Sequence, residues 1–248
     1  MKTLKALSAL LSYPTPELIE ACDDIRAVID REAVLPRAER KALHRLVDDF
    51  ASGDIYDLQE RYVLLFDRTR SLSLHLFEHV HGESRARGQA MVDLIKLYED
   101  GGFTPTTEEL PDFLPLFLEY AALLDAPAAI ELIGQPAHVF AALRERLAKR
   151  SSPYEAVLWA LVSLSKAKLD AAALAALRAE PDPEPDDLEA LDAAWEEEEV
   201  LFGPGAASDC GKDGLTSRMR AARRPAEGIA VPPPQRPIIT HSVNPLRK

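Results

Sequence analysis

The stretch KTLKALSALLSYPTPELIEACDDIRAVI, residues 2–29, shows the pattern that decides the fold of this 248-residue chain. Its first leucines recur every three or four positions, which is the spacing of one face of an α-helix. Tyr13-Pro14 predicts the end of that helix, because proline disfavours helical geometry in the residue before it. Thr15 and Pro16 then predict a second helix, with Thr15 as its N-cap. The buried face of this second helix is expected to carry Leu18, Cys22, Ile25 and Ile29.

The same helical spacing continues through most of the chain. Pro36 is predicted to open a third helix, and Ser52-Gly53-Asp54 to end it and to cap a fourth. Further helices are predicted over residues 84–100, from Asp112 onwards, through residues 139–147 and then through residues 154–177. No alternating run of β-branched residues predicts a strand. Because Leu and Ala dominate the apolar content, we predict an all-α fold.

The composition changes twice towards the C-terminus. Residues 180–199 are strongly acidic and contain three prolines, so we expect a solvated linker and a short helix with Leu188, Leu191 and Trp195. From Gly203 onwards the chain is rich in Gly, Pro, Ser and Arg, with eight Lys and Arg against three acidic residues. This composition is typical of disorder. We therefore predict one helical domain over residues 1–202 and a disordered tail over residues 203–248.

The charge and the cysteines argue against several classes of function. The net charge of −12 disfavours nucleic acid as a partner, because clustered Lys and Arg bind a phosphate backbone. Cys22 and Cys210 lie far apart, and neither belongs to a CxxC pair, so no disulfide framework or thiolate zinc site is predicted. No stretch approaches the ~20 apolar residues of a membrane-spanning helix. We expect a cytoplasmic protein that does not insert into a membrane.

The segment His75-Leu76-Phe77-Glu78-His79 matches H-x-x-E-H, a zinc peptidase pattern in which two histidines one helical turn apart bind the metal. A catalytic zinc site needs a third protein ligand, which this short match does not supply. His81 lies two residues further on and would fall on another helix face. We therefore favour histidines that form local hydrogen bonds or line a groove, with no metal bound. A zinc-dependent hydrolase with Glu78 as base is the alternative.

The segment ERYVLLFD, residues 60–67, is the other notable cluster. On spacing alone, Tyr62, Leu65 and Phe66 form a helical stripe that packs into a core. Glu60 and Asp67 flank this stripe, and three histidines and two glycines follow within about one loop. This context suggests a surface that is partly apolar and partly polar, which suits a peptide.

Longer runs of residues resemble a known family. Residues 74–94, LHLFEHVHGESRARGQAMVDL, look like the signature block of NarJ-type nitrate reductase assembly chaperones. Residues 60–66 are similar to the E-x-Y-x-x-L-F motif of the wider TorD-like chaperone superfamily. ELPDFLP, residues 109–115, followed by LEY at residues 118–120, resembles the second motif of that superfamily. Residues 191–198 are also typical of the NarJ branch, so the resemblance covers residues 4–202.

The resemblance implies a single all-helical domain, a TorD-like helical bundle, that binds the N-terminal region of a cofactor-free catalytic subunit. That partner is the α subunit of a membrane-bound respiratory nitrate reductase. The chaperone would keep it competent for insertion of the molybdenum bis-guanine dinucleotide cofactor and would delay its membrane anchoring. Neither enzymatic activity nor a permanently bound cofactor is implied, and cofactor biosynthesis proteins are further partners. A sister branch that serves another molybdoenzyme is the second alternative.

The same resemblance assigns candidate residues for binding the partner peptide. Apolar side chains would take the hydrophobic face of an amphipathic leader helix, while carboxylates at the rim would meet its basic residues. Phe113 stands where the superfamily often has His, so a proton-dependent role of that His is not carried over. The candidates are Tyr62, Leu65 and Phe66 as groove lining, Glu60 and Asp67 at the rim, Phe77, Glu78, His79, His81 and Gly82 in the adjoining loop, and Pro111 and Asp112 as cap of the facing helix.

Overall fold

α-Helices make up most of the chain that the computed structural model describes, which is residues 1–82, 85–105 and 109–183. The all-α prediction is confirmed, since the strand-like pairing in these ranges is one isolated antiparallel bridge between His75 and Phe113. In the same ranges, no helix has both the length and the apolar character needed to cross a membrane. The helices are α1 (Lys2–Leu10), α2 (Pro16–Glu20), α3 (Cys22–Glu32), α4 (Arg37–Ser52), α5 (Ile55–Tyr62), α6 (Leu76–His81), α7 (Arg85–Asp100), α8 (Leu114–Leu123), α9 (Ala126–Gly134), α10 (Ala137–Lys149), α11 (Glu155–Ser165) and α12 (Ala171–Ala179).

Two apolar helices, α8 and α11, lie inside the bundle. Both bury residues around most of their circumference, which is the pattern of a helix surrounded by other helices. α1 packs on α8 and α3, while α11 packs on α4, α9 and α10. α12 packs on α10. The buried apolar residues form one continuous cluster that reaches from Leu4 to Leu177, so the described chain shares a single core.

The helix ends follow the capping residues of the sequence. The hydroxyl of Thr15 accepts a hydrogen bond from the backbone N–H of Leu18 at 3.3 Å, which confirms Thr15 as the N-cap of α2. The carboxylate of Asp54 accepts one from the N–H of Tyr56 at 2.8 Å and caps α5 in the same way. These caps fix where the chain re-enters helical geometry after each break.

Two predicted helices were wrong in their extent. The helix predicted from Pro16 through Ile29 is divided at Ala21, where α2 ends and α3 begins. The fourth helix ends at Tyr62, and its continuation, Val63–Asp67, is a π-helical turn. A short 3₁₀ turn at Arg70–Leu72 then leads into the histidine-rich segment.

The later helices also differ from the prediction. The helix predicted from Asp112 begins at Leu114. The helical spacing predicted through residues 154–177 is interrupted at Lys166, which has a positive φ angle. The predicted acidic helix around Trp195 and the domain boundary at residue 202 lie outside the described residues, as does the C-terminal tail.

Candidate functional site

The start of the signature block, residues 74–82, and the second superfamily motif, residues 109–115, lie before and after α7 and meet in space. The backbone N–H of Leu76 donates to the carbonyl of Asp112 at 3.0 Å, and the N–H of Leu114 donates to the carbonyl of Leu74 at 2.8 Å. These bonds flank the His75–Phe113 bridge, where the two rings lie 5.4 Å apart. Residues 74–82 and 109–115 therefore form one structural unit.

Asp112 is the buried centre of this unit. Its side chain is 0% exposed, and one carboxylate oxygen accepts a hydrogen bond from the N–H of Phe77 at 3.0 Å. Phe77 lies in the first turn of α6, where backbone N–H groups have no partner inside the helix. Asp112 therefore caps α6, whereas the N-cap of α8, Phe113, makes no side-chain capping bond. Pro111 accepts a hydrogen bond from the hydroxyl of Tyr98 at 2.7 Å.

The histidines of the H-x-x-E-H segment bond to neighbouring groups. Nδ1 of His75 lies 3.3 Å from Asp112, and Nε2 of His79 lies 2.8 Å from the carbonyl oxygen of Ser73. The described part of the chain contains no group of three or more His, Cys, Asp or Glu residues placed to hold a metal ion. This geometry favours histidines that hold the local backbone and gives the hydrolase alternative no support.

Burial and charge shift the pKa values of His75 and His79 in opposite directions. Burial lowers the pKa of His75. The hydrogen bond to Asp112 and the negative charge of Asp112 together raise it by a larger amount, so the net shift is upward. Burial lowers the pKa of His79, and this effect outweighs the hydrogen bond to Ser73. His75 is thus held towards its charged form and His79 towards its neutral form.

The predicted groove lining lies in the core of this structure. Tyr62, Leu65 and Phe66 are all buried, and the hydroxyl of Tyr62 donates to the carbonyl of Leu11 at 3.0 Å. The rings of Tyr62 and Phe66 lie 5.0 Å apart, and Phe66 lies 5.0 Å from Tyr154. The packing interpretation of this helical stripe therefore accounts for all three side chains, and a role in peptide binding stays a prediction.

The predicted rim residues, in contrast, are exposed. Glu60 and Asp67 both face solvent. Partial burial raises the pKa of Asp67, while the nearby charge of His75 lowers it to a smaller extent. The net shift of the pKa of Asp67 is upward.

The predicted loop residues belong mainly to α6. Glu78 pairs with Arg87 of α7 at 3.1 Å, and the ring of the buried His81 lies 5.4 Å from that of Phe77. Gly82 ends the helix with φ of 52° and ψ of −130°, a conformation that side-chain-bearing residues rarely adopt. α6 is thus fixed at its start by Asp112 and ended by Gly82.

Comparison with known proteins assigns the family. The family model described as "Nitrate reductase delta subunit" matches residues 32–159, which is more than half of the chain. The chain belongs to this family. The matched region includes residues 60–66, 74–94 and 109–115 and all twelve candidate residues. The resemblance to the NarJ-type family is confirmed.

Relatives of this delta subunit family member are named as chaperones. The "Nitrate reductase molybdenum cofactor assembly chaperone NarJ" of Escherichia coli K12 is 40% identical over 220 residues, 89% of this chain and 92% of the relative. A probable chaperone of the same kind from that organism, NarW, is 37% identical over the same shares. A probable NarJ of Bacillus subtilis is 35% identical over 161 residues, 65% of this chain and 86% of the relative.

This delta subunit family member also contains a polar cluster that the sequence analysis missed. Asp182 accepts hydrogen bonds from the hydroxyl of Ser71 at 2.7 Å and from Arg150, also at 2.7 Å. The buried Arg146 donates to the carbonyls of Ser71 and Leu177 at 2.6 and 2.5 Å. Burial raises the pKa of Asp182, but the hydrogen bonds from Arg150 and Ser71 and the charge of Arg150 together lower it by more, so the net shift is downward. No local sequence signal could reveal the cluster, because it joins residues that are far apart in the chain.

Proposed function

We propose that this chain is a cytoplasmic assembly chaperone for a membrane-bound respiratory nitrate reductase. It binds the N-terminal region of the cofactor-free catalytic α subunit and keeps that subunit competent for insertion of the molybdenum bis-guanine dinucleotide cofactor. It delays membrane anchoring until insertion is complete. The observation that supports this proposal best is the 40% identity, over 89% of this chain and 92% of the relative, to a protein named as a nitrate reductase molybdenum cofactor assembly chaperone.

The polar groups of the site suit binding better than proton transfer. Asp112 bonds to the N–H of Phe77, His79 to the carbonyl of Ser73, and Glu78 to Arg87. Groups that already bond within the protein hold the shape of its surface, whereas a catalytic acid or base must reach a substrate proton. The site therefore supports recognition of a partner.

Charge indicates which partner peptide would fit. The chain carries a net charge of −12, and Glu60, Asp67 and Glu109, which belong to the two motif segments 60–67 and 109–115, are exposed. An amphipathic helix with basic residues would be attracted to such a rim, while its apolar face would bind the adjoining apolar surface. We therefore expect the bound segment of the catalytic subunit to be a basic amphipathic helix.

A capture experiment tests the partner. The tagged full-length chain is recovered from cells grown anaerobically on nitrate, and the molybdenum content of the co-purified protein is measured. We expect the nitrate reductase catalytic subunit without molybdenum. Recovery of another molybdoenzyme would assign the chain to a different branch, and recovery of only the molybdenum-loaded subunit would contradict the proposed order of events.

A pair of charge variants provides the matched control for this capture. Glu60→Gln with Asp67→Asn neutralises the two exposed carboxylates of residues 60–67, whereas Glu20→Gln with Asp23→Asn neutralises two exposed carboxylates of α2 and α3. Rim charges chiefly affect association, so only the first pair should reduce recovery, most clearly at low salt. Equal recovery of the catalytic subunit with both pairs of variants would show that Glu60 and Asp67 do not contribute to binding.

A further inference from the structure

Two exposed tyrosines lie near the place where the loop between α1 and α2 packs on α5. Tyr56, in the first turn of α5, is 76% exposed, the largest value among the exposed apolar and aromatic side chains of the described ranges. Tyr13, in the loop, is 45% exposed. Tyrosine is enriched in recognition surfaces, because its ring offers a large apolar area and its hydroxyl a polar group.

Two contacts hold the loop against α5. The ring of Tyr13 lies 5.5 Å from that of Tyr62, with the ring planes at 88°. Nε2 of Gln59 donates a hydrogen bond to the carbonyl of Pro14 at 2.9 Å. Gln59 follows Tyr56 by three residues, so their side chains are neighbours on the helix surface. The loop therefore touches α5 one helical turn from Tyr56.

The two exposed rings lie outside the buried part of the motif at residues 60–66. Tyr62 of that motif is 4% exposed, and the ring of Tyr13 packs on it. A partner can therefore reach the rings of Tyr13 and Tyr56 without any rearrangement, whereas it could reach Tyr62 only by displacing its neighbours.

The charge around the two rings determines which kind of partner fits them. Residues 12–17 and 54–60 contain four carboxylates, all of them exposed, and no Lys or Arg. A cation is attracted both by such carboxylates and by the face of an aromatic ring. An anionic partner would be repelled here. The surface therefore fits a segment that carries Lys or Arg side chains. The four carboxylates are those of Glu17, Asp54, Asp57 and Glu60.

We infer that Tyr13 and Tyr56 form a docking surface for basic side chains of the partner's N-terminal peptide. The inference rests on the proposed function and adds two contact residues that the resemblance does not assign. Glu60 follows Tyr56 by four residues, so the two side chains are neighbours on α5. The docking surface is thus continuous with a carboxylate of the rim predicted for the same peptide.

Calorimetric titration of the full chain with a peptide of the first residues of the catalytic subunit tests the inference. Tyr56→Ala should lower the affinity about two- to fivefold, which is the effect of losing one cation–π contact at an exposed site. Tyr56→Phe keeps the ring and should keep the affinity. Leu123→Ala truncates a side chain that is 67% exposed at the end of α8 and serves as the matched control, with affinity unchanged.

A second variant tests the ring in the loop. Tyr13→Leu keeps an apolar side chain against Tyr62, so we expect circular dichroism to show the folded state. The affinity for the peptide should again fall about two- to fivefold.

A second peptide, with every Arg and Lys replaced by Gln, tests the role of charge. This replacement should weaken binding to the wild type more than binding to Tyr56→Ala, because the two changes remove the same contact. Equal weakening of both would contradict the recognition of basic side chains by the ring.

Several other results would overturn the inference while the proposed function stands. One is binding by the wild type with Tyr56→Ala and Tyr13→Leu both equal to Leu123→Ala. If these variants also lose self-association in light scattering, the surface binds a second copy of the chain. A rise in affinity for Tyr56→Ala would mean that the surface holds a segment of this chain that competes with the peptide. If the wild type does not bind the peptide, both the proposed function and the inference fail.

Discussion

Asp112 accepts a hydrogen bond from the backbone N–H of Phe77 at 3.0 Å, and this bond fastens the second motif to the start of α6. Asp112 is fully buried, and its carboxylate also lies beside the imidazole of His75. One carboxylate therefore fixes both the position of α6 and the charge of the histidine that precedes it. The shape of the proposed binding surface depends on this contact.

Replacement of Asp112 by Ala is expected to destabilise the fold by about 2–3 kcal/mol, because a buried N–H loses a charged acceptor. Asp112→Asn keeps an acceptor and should cost less. Glu119→Ala, an exposed carboxylate on α8, should change stability by less than about 0.5 kcal/mol. Urea unfolding measures all three, and equal costs for Asp112→Ala and Glu119→Ala would contradict the capping role.

The dependence of stability on pH should change when His75 is replaced. Its folded pKa is raised, so its contribution is fully present below the unfolded value of about 6.5 and is lost as pH rises through the folded pKa. His75→Gln should therefore cost more stability at about pH 5.5 than at about pH 9. Urea unfolding at the two pH values tests this, and a cost independent of pH would refute it.

His79 should behave with the opposite sign. Its folded pKa is lowered by burial, so its contribution is present above about 6.5 and is lost as pH falls from there towards the folded pKa. The cost of His79→Gln should accordingly shrink on acidification. The two histidine variants serve as controls for each other, since a general acid effect on the fold would move both costs in one direction.

Two glycines of the signature block should respond oppositely to a methyl group. Gly82 has a positive φ of 52°, so Gly82→Ala should cost about 1–3 kcal/mol through backbone strain. Gly88 lies inside α7 with no atom within 4 Å of an added Cβ, so Gly88→Ala should stabilise by about 0.5–1 kcal/mol. Thermal unfolding measures both, and a shift of equal sign would contradict the conformation of Gly82.

The cluster around Asp182 should contribute more to stability than an exposed ion pair of similar geometry. The side chains of Arg150 and Asp182 are 6% and 17% exposed, whereas those of Arg178 and Glu145 are 55% and 46% exposed. Asp182→Ala should cost about 1–3 kcal/mol, because buried donors lose their acceptor. Arg178→Ala should cost at most about 1 kcal/mol. Urea unfolding compares the stability costs of the two variants. A larger cost for Arg178→Ala than for Asp182→Ala would contradict this prediction.

Most of the helices could be predicted from spacing and capping residues, because these signals are local. Thr15 caps α2 and Asp54 caps α5 as their positions indicate. The division at Ala21 was missed, since Leu18, Cys22 and Ile25 keep one helical spacing across it. The π-helical turn after Tyr62 was missed for the same reason, because Leu65 and Phe66 remain in phase with the preceding helix.

The candidate site was predictable as a set of segments and not as a geometry. Resemblance pointed to residues 60–94 and 109–115, yet the bridge between His75 and Phe113 depends on how α7 returns the chain. The cluster around Asp182 has no sequence signature, because it forms only when segments distant in sequence pack together. Spacing alone could not decide whether Tyr62 is a core residue or a surface residue, and packing places it in the core.

The molybdenum content of the catalytic subunit shows whether this chain enables cofactor insertion into its partner. Cells that lack this chain are compared with cells that carry it, after anaerobic growth on nitrate. Without the chain, we expect the catalytic subunit to be made and to reach the membrane but to contain little molybdenum. A catalytic subunit with its full molybdenum content in the absence of the chain would contradict the account.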